Sequence, residues 1–580
     1  MRGILIILLF SLIWAPMAEC HTLSVAVRSP VGRNLQDSGE TVPGKASFRY
    51  LRIYRRPLED WKNPQGHRFF DIYRERPERE LRVPVRGGQG SIDLENLQNG
   101  AYFLVAWLDT TPNGRVDYDP PEPLGWYARE FGRIEPVRLG GDGMDQSRSI
   151  TIDLFQVIPP PVQAESIPHG GFTIEKGYPV LRLRGSREEM EYAHGFLLGA
   201  RIMDFFQFYL LESLTGSVRV YESEILPLLR RRLVVEEGLL KELQAMVRGM
   251  RDSGCSMWLE PMGRELEWID LLALNSYGEA WGEAIGCTQA AFWGDLTGSS
   301  GLRRGLIAGR NMDGECDLRK VTVINLLVIV REPAEGKRWV SFGWPGFVGT
   351  YSGINEDGLY AMLNFGGRKA ERQTGSGAVD PETRGNTPVA VLIRSILESA
   401  SALTSASDAE IILKQAEGSG GGACGTPSII FFASPFNGQP NPAFVYEGDR
   451  FGGAFRFPGD DPPGSSSYIV GANHFLKYGV LHQGSIRVFD RPLSLSSANR
   501  CSLAMGRAGW WRHTGYPVAA RDIVKLLRDL TLDRTEHSII FAANDRTVYL
   551  ANDDLRFDGW NAPFQPWTTF SLDELLTTSD

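Results

Sequence analysis

One cysteine of the chain stands where it could cut the peptide bond before it. Cys287 follows Gly286 and precedes Thr288. A small residue before Cys-Thr suits a bond that the cysteine thiol itself attacks. The new chain would begin with Cys287, so its thiol and a free α-amine would share one residue. A thiol becomes a good nucleophile only when a base takes its proton, and an α-amine, whose pKa is ordinarily about 8, can do so near neutral pH. The pattern predicts self-cleavage between Gly286 and Cys287.

Several short motifs surround this cysteine in a fixed order. They are Asp270 to Ser276, Gly286-Cys287-Thr288, Gly309-Arg310-Asn311-Met312-Asp313, Gly353 to Leu359 with Met362 to Phe365, Ala472 to Phe475, Ser497 to Arg500 and Glu536 to Phe541. Together they resemble the N-terminal-nucleophile (Ntn) hydrolases, and within them the penicillin acyltransferase-like family (acyl-CoA:6-aminopenicillanic acid acyltransferase, peptidase family C45). Choloylglycine hydrolases are more distant relatives. The resemblance runs from Gly177 to Asp553.

The resemblance implies a catalytic set of six residues. They are Cys287, Arg310, Asp313, Asn364, Asn473 and Arg500. Asn364 and Asn473 match the family's donors to the oxyanion that forms when the thiol attacks a carbonyl. Arg310 would lower the pKa of the thiol, and Asp313 would bind the α-ammonium group. Arg500 would complete the polar network. The chemistry needs no cofactor.

A histidine close to this set suggests a competing mechanism. His474 could pair with Cys287 as in papain-type enzymes. A papain-like nucleophile needs a helix N-terminus and no cleavage, whereas the residues after Cys287 predict a strand. We therefore expect His474 to be structural. His194-Gly195 resembles an element of the family's pro-segment, and we assign it no chemistry. Cysteines and histidines do not pair at zinc-ligand spacing.

Composition bounds the class of protein. With 580 residues, 42% hydrophobic and 23% charged, the chain predicts a globular protein of two domains. Its net charge of −9 does not predict a basic nucleic-acid-binding surface or a polybasic membrane anchor.

The N-terminus predicts export. Arg2 precedes an apolar run from Ile4 to Trp14 that is too short to remain as a membrane-spanning helix. Residues 1–20 are therefore predicted as a signal peptide, and the mature protein as secreted or periplasmic, with no transmembrane helix. Cys20 would be the lipidated residue of a lipoprotein, although Glu19 fits such a signal poorly.

Residues 21–157 predict a small β-sandwich accessory domain. Segments such as 23–27, 48–54 and 149–154 alternate apolar and polar residues between turn-forming ones. The loop after the most apolar strand carries Asp109, Asn113 and Asp117, which are weak calcium candidates. Pro120 stands where an EF-hand needs its bidentate glutamate, so a turn stabilised by Asp and Asn side chains is the alternative.

A Pro-rich linker, residues 158–168, separates this domain from the catalytic region. Residues 169–286 predict a helical pro-segment, the α-chain after cleavage, with a capping box formed by Ser186 and Glu189. Residues 287–580 predict strands and flanking helices, the β-chain. The resemblance implies an α+β fold, the αββα Ntn-hydrolase sandwich, preceded by the small N-terminal β-sandwich domain. The two self-cleaved chains should stay associated.

These features predict an exported, autoprocessing amidohydrolase. It would cleave a C–N amide bond of a small-molecule or lipid acyl amide through an acyl-cysteine intermediate. Three alternatives stay open. An acyltransferase would pass the acyl group to an amine, a phospholipase B-like enzyme would cleave an ester, and a catalytically silent binding protein would use the sandwich alone.

Overall fold

The computed structural model describes most of the predicted catalytic region and the strands that precede it. The described residues are 21–28, 48–54, 77–83, 85–86, 89–109, 122–127, 136–140, 149–154, 165–281, 286–314, 320–366, 385–401, 405–418, 421–460, 466–483, 486–489, 495–532, 535–553 and 562–577. The predicted signal peptide, Cys20, Asn113 and Asp117 lie outside these residues. Their predicted roles stay predictions.

The strands are β1 (His21–Arg28), β2 (Phe48–Tyr54), β3 (Arg79–Val83), β4 (Val85–Arg86), β5 (Gln89–Leu97), β6 (Gly100–Asp109), β7 (Leu124–Trp126), β8 (Val137–Leu139), β9 (Ser149–Asp153), β10 (Glu165–Ile167), β11 (Gly170–Glu175), β12 (Tyr178–Gly185), β13 (Trp258–Leu259), β14 (Arg264–Glu265), β15 (Gly286–Phe292), β16 (Ile307–Asp313), β17 (Leu327–Pro333), β18 (Trp339–Gly343), β19 (Ser352–Asn355), β20 (Tyr360–Phe365), β21 (Ser428–Ala433), β22 (Ala443–Asp449), β23 (Gly452–Arg456), β24 (Tyr468–Gly471), β25 (Val480–Gln483), β26 (Ile486–Phe489), β27 (Thr535–Ala542), β28 (Thr547–Asn552) and β29 (Thr568–Ser571).

The helices are α1 (Arg187–Asp204), α2 (Val218–Val220), α3 (Leu226–Arg232), α4 (Glu237–Asp252), α5 (Trp268–Trp281), α6 (Val321–Ile324), α7 (Val389–Ser399), α8 (Ser405–Gln415), α9 (Leu495–Thr514), α10 (Ala520–Asp529) and α11 (Leu572–Leu576). Two π-helical segments, Phe205–Thr215 and Tyr221–Ile225, extend the helical region. None of the described helices is long and apolar enough to cross a membrane.

The first nine strands form two sheets around one apolar core. One sheet has the order β4-β5-β1-β9, and the other has β3-β2-β6-β7 with β8 beside β6. Alternate residues such as Leu23, Leu51 and Leu104 are buried in the shared core, as the period of two predicts. Asp109 ends β6 opposite Phe48 and is buried. That these strands form an independent sandwich domain stays a prediction.

The outer face of the second sheet packs against the helical region. Tyr50 and Trp107 belong to the same buried cluster as Phe208 of the π-helical segment. Residues 205–214 of that segment are all buried, as expected for a helix that is apolar on every side. The sheet therefore covers one face of the helical region.

The catalytic region has two sheets with helices on both outer faces. Ten strands run in the order β10-β11-β12-β17-β18-β19-β20-β21-β22-β23, and six in the order β24-β15-β16-β27-β28-β29. One buried cluster lies between the sheets. Helices α9 and α10 pack on the outer face of the six-stranded sheet, and helices of the pro-segment contribute to the cluster on the outer face of the other sheet.

Two boundary predictions can be compared with the structure. Ser186 and Glu189 form the predicted reciprocal capping box at the start of α1. Strand β10 occupies 165–167, inside the range predicted as the linker; the domain bounds themselves stay a prediction. Glu165 pairs with Phe172 of β11, so the backbone groups of this segment belong to the sheet.

Candidate active site

The candidate nucleophile, Cys287, is the second residue of strand β15 in the six-stranded sheet. Cys287 pairs with Met312 of β16, and Gln289 pairs with Arg310. Directly paired residues of antiparallel strands share a face of the sheet, and residues two apart on one strand do so as well. The side chains of Cys287 and Arg310 therefore lie on one face. The buried thiol of Cys287 lies 3.5 Å from Nη2 of Arg310.

Arg310 extends from the six-stranded sheet to the ten-stranded one. Its Nη1 donates to the carbonyl oxygen of Tyr351 at 2.5 Å and to the hydroxyl of Ser352. Its Nη2 donates to the carbonyl oxygen of Leu363 at 2.6 Å. These neutral acceptors fix the planar guanidinium group and leave its positive charge beside the thiol.

The backbone of Cys287 is held at both its nitrogen and its oxygen. Its N–H donates to Oδ1 of Asn473 at 2.9 Å. Its carbonyl oxygen accepts from Nη1 of Arg500 at 2.6 Å and from Nδ2 of Asn364 at 3.3 Å. Arg500 also donates to the hydroxyl of Thr288 and, at 2.8 Å, to Oδ1 of Asn473. The structure thus brings Asn364, Asn473 and Arg500 together around Cys287.

The contacts of Asn473 differ from those of an oxyanion donor. Its Oδ1 meets the N–H of Cys287, so the donor atom Nδ2 points away and donates to the carbonyl oxygen of Phe365 at 2.8 Å. This places Asn473 at the nitrogen that would become the α-amine. Asn364 has its Nδ2 on the carbonyl oxygens of Cys287 and Ala472, the latter at 2.9 Å. The oxyanion role of both residues stays a prediction.

Asp313 lies opposite Gly286, next to the bond that is predicted to be cut. It is buried, pairs with Gly286 across the two strands and accepts a hydrogen bond from the hydroxyl of Thr535. Burial raises the pKa of the Cys287 thiol, the Arg310 guanidinium lowers it, and the Asp313 carboxylate raises it. The thiol pKa stays above its usual value, so the thiol needs a base before it can attack.

His474 makes its hydrogen bond to Ser497. Its Nδ1 lies 2.7 Å from Oγ of Ser497, which also accepts the N–H of Asn473 at 2.7 Å. With Oγ accepting from Asn473, its own hydrogen can go to His474. This arrangement orients the Asn473 segment and favours the structural role predicted for His474.

Sequence reasoning did not single out three residues that contact the thiol, Asp313 or Met312. Met312 places its sulfur 3.6 Å from Sγ of Cys287 and 3.0 Å from Nη2 of Arg310. His537 pairs with Met312 on the next strand, and burial and then Arg310 lower its pKa to about 3. Thr535 binds Asp313. Met312 and His537 lie inside motifs that carried the resemblance, so strand pairing could have found them.

Solved structures match parts of the chain, and three of them illustrate the likeness. An N-acylethanolamine-hydrolyzing acid amidase (NAAA) ortholog from Caenorhabditis elegans is 15% identical with a TM-score of 0.30, over 44% of this chain and 93% of that one. A mutant conjugated bile acid hydrolase from Clostridium perfringens is 13% identical with a TM-score of 0.33, over 50% and 95%. Penicillin V acylase from Agrobacterium tumefaciens is 13% identical with a TM-score of 0.23, over 46% and 83%.

At such scores these likenesses carry no conclusion about the chemistry of this chain. No family model matches it, and no curated protein matches it by sequence. The geometry around Cys287 is therefore what supports a function.

Proposed function

We propose that this protein is an exported, self-processing cysteine hydrolase of the Ntn type that cleaves a C–N amide bond. Cys287 is the nucleophile, and its α-amine, released by cleavage after Gly286, is the base. The substrate is a small-molecule or lipid acyl amide. Hydrolysis proceeds through an acyl-cysteine intermediate.

One observation carries this proposal. The backbone nitrogen of Cys287 has a side-chain acceptor, Oδ1 of Asn473 at 2.9 Å, while a cation lies 3.5 Å from the thiol of the same residue. A cysteine that acts through its side chain alone needs no such acceptor. An N-terminal cysteine that uses its amine as a base needs the amine oriented, and Asn473 provides that orientation.

Self-cleavage would proceed by an acyl shift from nitrogen to sulfur. Sγ of Cys287 adds to the Gly286 carbonyl carbon, the C–N bond breaks, and the Cys287 nitrogen takes the proton and becomes an amine. Water then hydrolyses the thioester, releasing the Gly286 carboxylate and restoring the thiol. Asp313, which pairs with Gly286, lies where it can stabilise the ammonium form of the new amine.

Substrate hydrolysis would repeat these steps with an external amide. The α-amine takes the thiol proton as Sγ attacks the substrate carbonyl, and it then gives the proton to the leaving amine. Arg310 stabilises the thiolate, and Asn364 supplies a donor to the oxyanion. Water finally hydrolyses the acyl-cysteine bond and releases the free acid.

The surroundings of the thiol favour an apolar acyl group. Cys287 belongs to the same buried cluster as Tyr277, Tyr351 and Phe365. The rings of Tyr351 and Phe365 pack edge to face with centroids 5.8 Å apart. An aliphatic or aromatic acyl chain attached to Sγ would meet these rings.

Mass spectrometry of the purified protein tests the proposal directly. We expect two chains, one ending at Gly286 and one beginning with Cys287, that co-purify as one particle. The Cys287→Ala variant should remain a single chain and lack hydrolase activity. Untargeted metabolite profiling with both proteins would identify the substrate. An intact wild-type chain that is active would exclude self-cleavage, and a processed chain without Cys287-dependent products would exclude the hydrolase.

A further inference from the structure

A buried glutamine lies on the face of β15 that carries the candidate nucleophile. Gln289 is two residues after Cys287, is fully buried, and pairs with Arg310 on β16 and Gly471 on β24. Neither Oε1 nor Nε2 of its amide has a hydrogen-bond partner among the described residues. A buried polar group without a partner costs free energy, and native proteins usually satisfy such groups with protein atoms or ordered water.

Two further buried polar atoms lack a partner in the same way, and one of them belongs to Arg310, the residue that pairs with Gln289. Nε of Arg310 and the hydroxyl of Tyr360 are buried and have no hydrogen-bond partner in the described part of the chain. Tyr360 interacts electrostatically with Arg310, and its ring packs edge to face on Phe541 at 5.7 Å, within the core between the sheets. Unsatisfied donors and acceptors therefore occur on both sheets, beside an otherwise apolar core.

Gly471 leaves room next to the glutamine amide. A Cβ atom built on Gly471 would lie 3.5 Å from Oε1 of Gln289, 3.5 Å from Phe431 and 3.7 Å from Ile429, which are ordinary contact distances. The space beside Oε1 therefore accommodates an atom of that size.

We propose that Gln289, Nε of Arg310 and the Tyr360 hydroxyl line a hydrated pocket between the two sheets, and that its ordered water makes Gln289 a positioning residue for Arg310. A buried water needs two to four polar partners and enough room. The unpartnered atoms of Gln289, Arg310 and Tyr360 would be the partners, and the space beside Gly471 would be part of the room. Nη1 and Nη2 of Arg310 are fixed by Tyr351 and Leu363, and the water would fix the remaining Nε edge. The water site follows from the geometry alone, whereas its effect on rate depends on the proposed function.

A crystal structure of the Cys287→Ala protein tests the water site without any activity. At a resolution that shows ordered solvent, we expect water within hydrogen-bond distance of the Gln289 amide and of Arg310 Nε or the Tyr360 hydroxyl. Gln289→Leu should lower the melting temperature, because it removes a partner of that water. A dry pocket, or a melting temperature that rises when the glutamine is removed, would overturn the proposal.

Kinetics test whether this water positions Arg310. Gln289→Leu, and Gly471→Ala, whose methyl group would fill the space beside Oε1, should each slow self-cleavage and reduce kcat by about 2–10-fold, with KM unchanged. The double variant should be no slower than the worse single variant, because both lose the same water.

Gln207→Leu is the matched control, since the buried amide of Gln207 donates to Glu212 instead. It should lose stability but keep kcat. Full activity in both pocket variants, or independent multiplicative losses, would refute the positioning role.

Discussion

The two sheets of the catalytic region contribute to the site in different ways. The six-stranded sheet supplies the proposed reactive groups, with Cys287 on β15 and both Arg310 and Asp313 on β16. The ten-stranded sheet supplies mainly main-chain carbonyl oxygens, those of Tyr351 and Leu363, which receive Arg310. In the proposed mechanism the nucleophile and the charged groups come from the six-stranded sheet, and the ten-stranded sheet orients Arg310 and adds the side chain of Asn364.

This difference implies that the site depends on the separation of the sheets. Arg310 reaches across the gap in one direction, and Asn364 reaches back to the carbonyl oxygen of Cys287 in the other. The Arg310 contact measures 2.6 Å and the Asn364 contact 3.3 Å, and each needs the two sheets at their present separation. A change in either residue should therefore affect the rate of chemistry more than the affinity for substrate.

The largest effect is expected for the side chain that crosses from the ten-stranded sheet. Asn364→Ala should lower kcat by about 10²–10³-fold, the usual cost of losing one oxyanion donor, with little change in KM. Asn473→Ala is the comparison, because Asn473 contacts the Cys287 nitrogen and its loss should also shift the pH profile. Steady-state kinetics of both variants, measured as a function of pH, give the kcat, the KM and the pH profile. Full activity in the two single variants would reject both assignments.

A smaller loss is expected for the side chain that crosses from the six-stranded sheet. Arg310→Lys keeps the charge but loses the planar fork that binds two carbonyl oxygens. A hydrogen bond to a charged group contributes about 1.5–3 kcal/mol, so kcat should fall by about 10–150-fold while the pH profile moves little. Arg507→Lys is the control, because Arg507 pairs with Asp529 at the surface. An Arg310→Lys enzyme with wild-type kcat would show that charge alone suffices.

A change within the six-stranded sheet should shift the pH profile. If the base is the α-amine of Cys287, activity should rise with pH through a limb at about pH 6–8. Asp313→Asn removes the anion that stabilises the ammonium form, which lowers the pKa of the amine and moves this limb to lower pH. His474→Ala should leave the limb in place. A limb that disappears in His474→Ala and persists in Asp313→Asn would identify a Cys-His enzyme.

A separate effect, on folding rather than on rate, is expected in acid stability. The pKa of His537 is lowered to about 3 by burial and by Arg310, whereas in the unfolded chain it lies near 6.5. Between these values the unfolded state binds the extra proton, so stability is complete above about pH 6.5 and declines as pH falls towards about 3. His537→Leu should reduce this decline. Urea unfolding at pH 7 and pH 4 measures it, and an unchanged pH dependence would show that His537 is not the cause.

The site residues of the six-stranded sheet were easier to predict from the sequence than the contacts made by the ten-stranded sheet. Cys287, Arg310 and Asp313 lie in two short motifs, and pairing of consecutive strands brings such motifs together. The main-chain carbonyl groups of Tyr351 and Leu363 could not be predicted as partners of Arg310 from the residue types, because every residue has a carbonyl group. The side-chain orientation of Asn473 was not predictable either, since it depends on which atom of Cys287 faces the amide.

The strands and helices were also only partly predictable from the sequence. Period-two alternation located the N-terminal strands, and the Ser186–Glu189 capping box located the start of α1. The short strand at Glu165–Ile167 was assigned to the linker, because three residues give no period. Its pairing with β11 is set by the hairpin, which local composition does not reveal.

The parallel pairing of β12 with β17 has a consequence for reversibility. Val180 through Gly185 pair with Val328 through Pro333, so the proposed cut at Gly286 would fall between two strands that are neighbours in one sheet. An uncut chain refolds by closing a loop within one molecule. After the cut, the same pairing becomes an encounter of two molecules and depends on their concentration. Heated Cys287→Ala protein should therefore recover equally well at any dilution, whereas processed protein should recover less the more it is diluted.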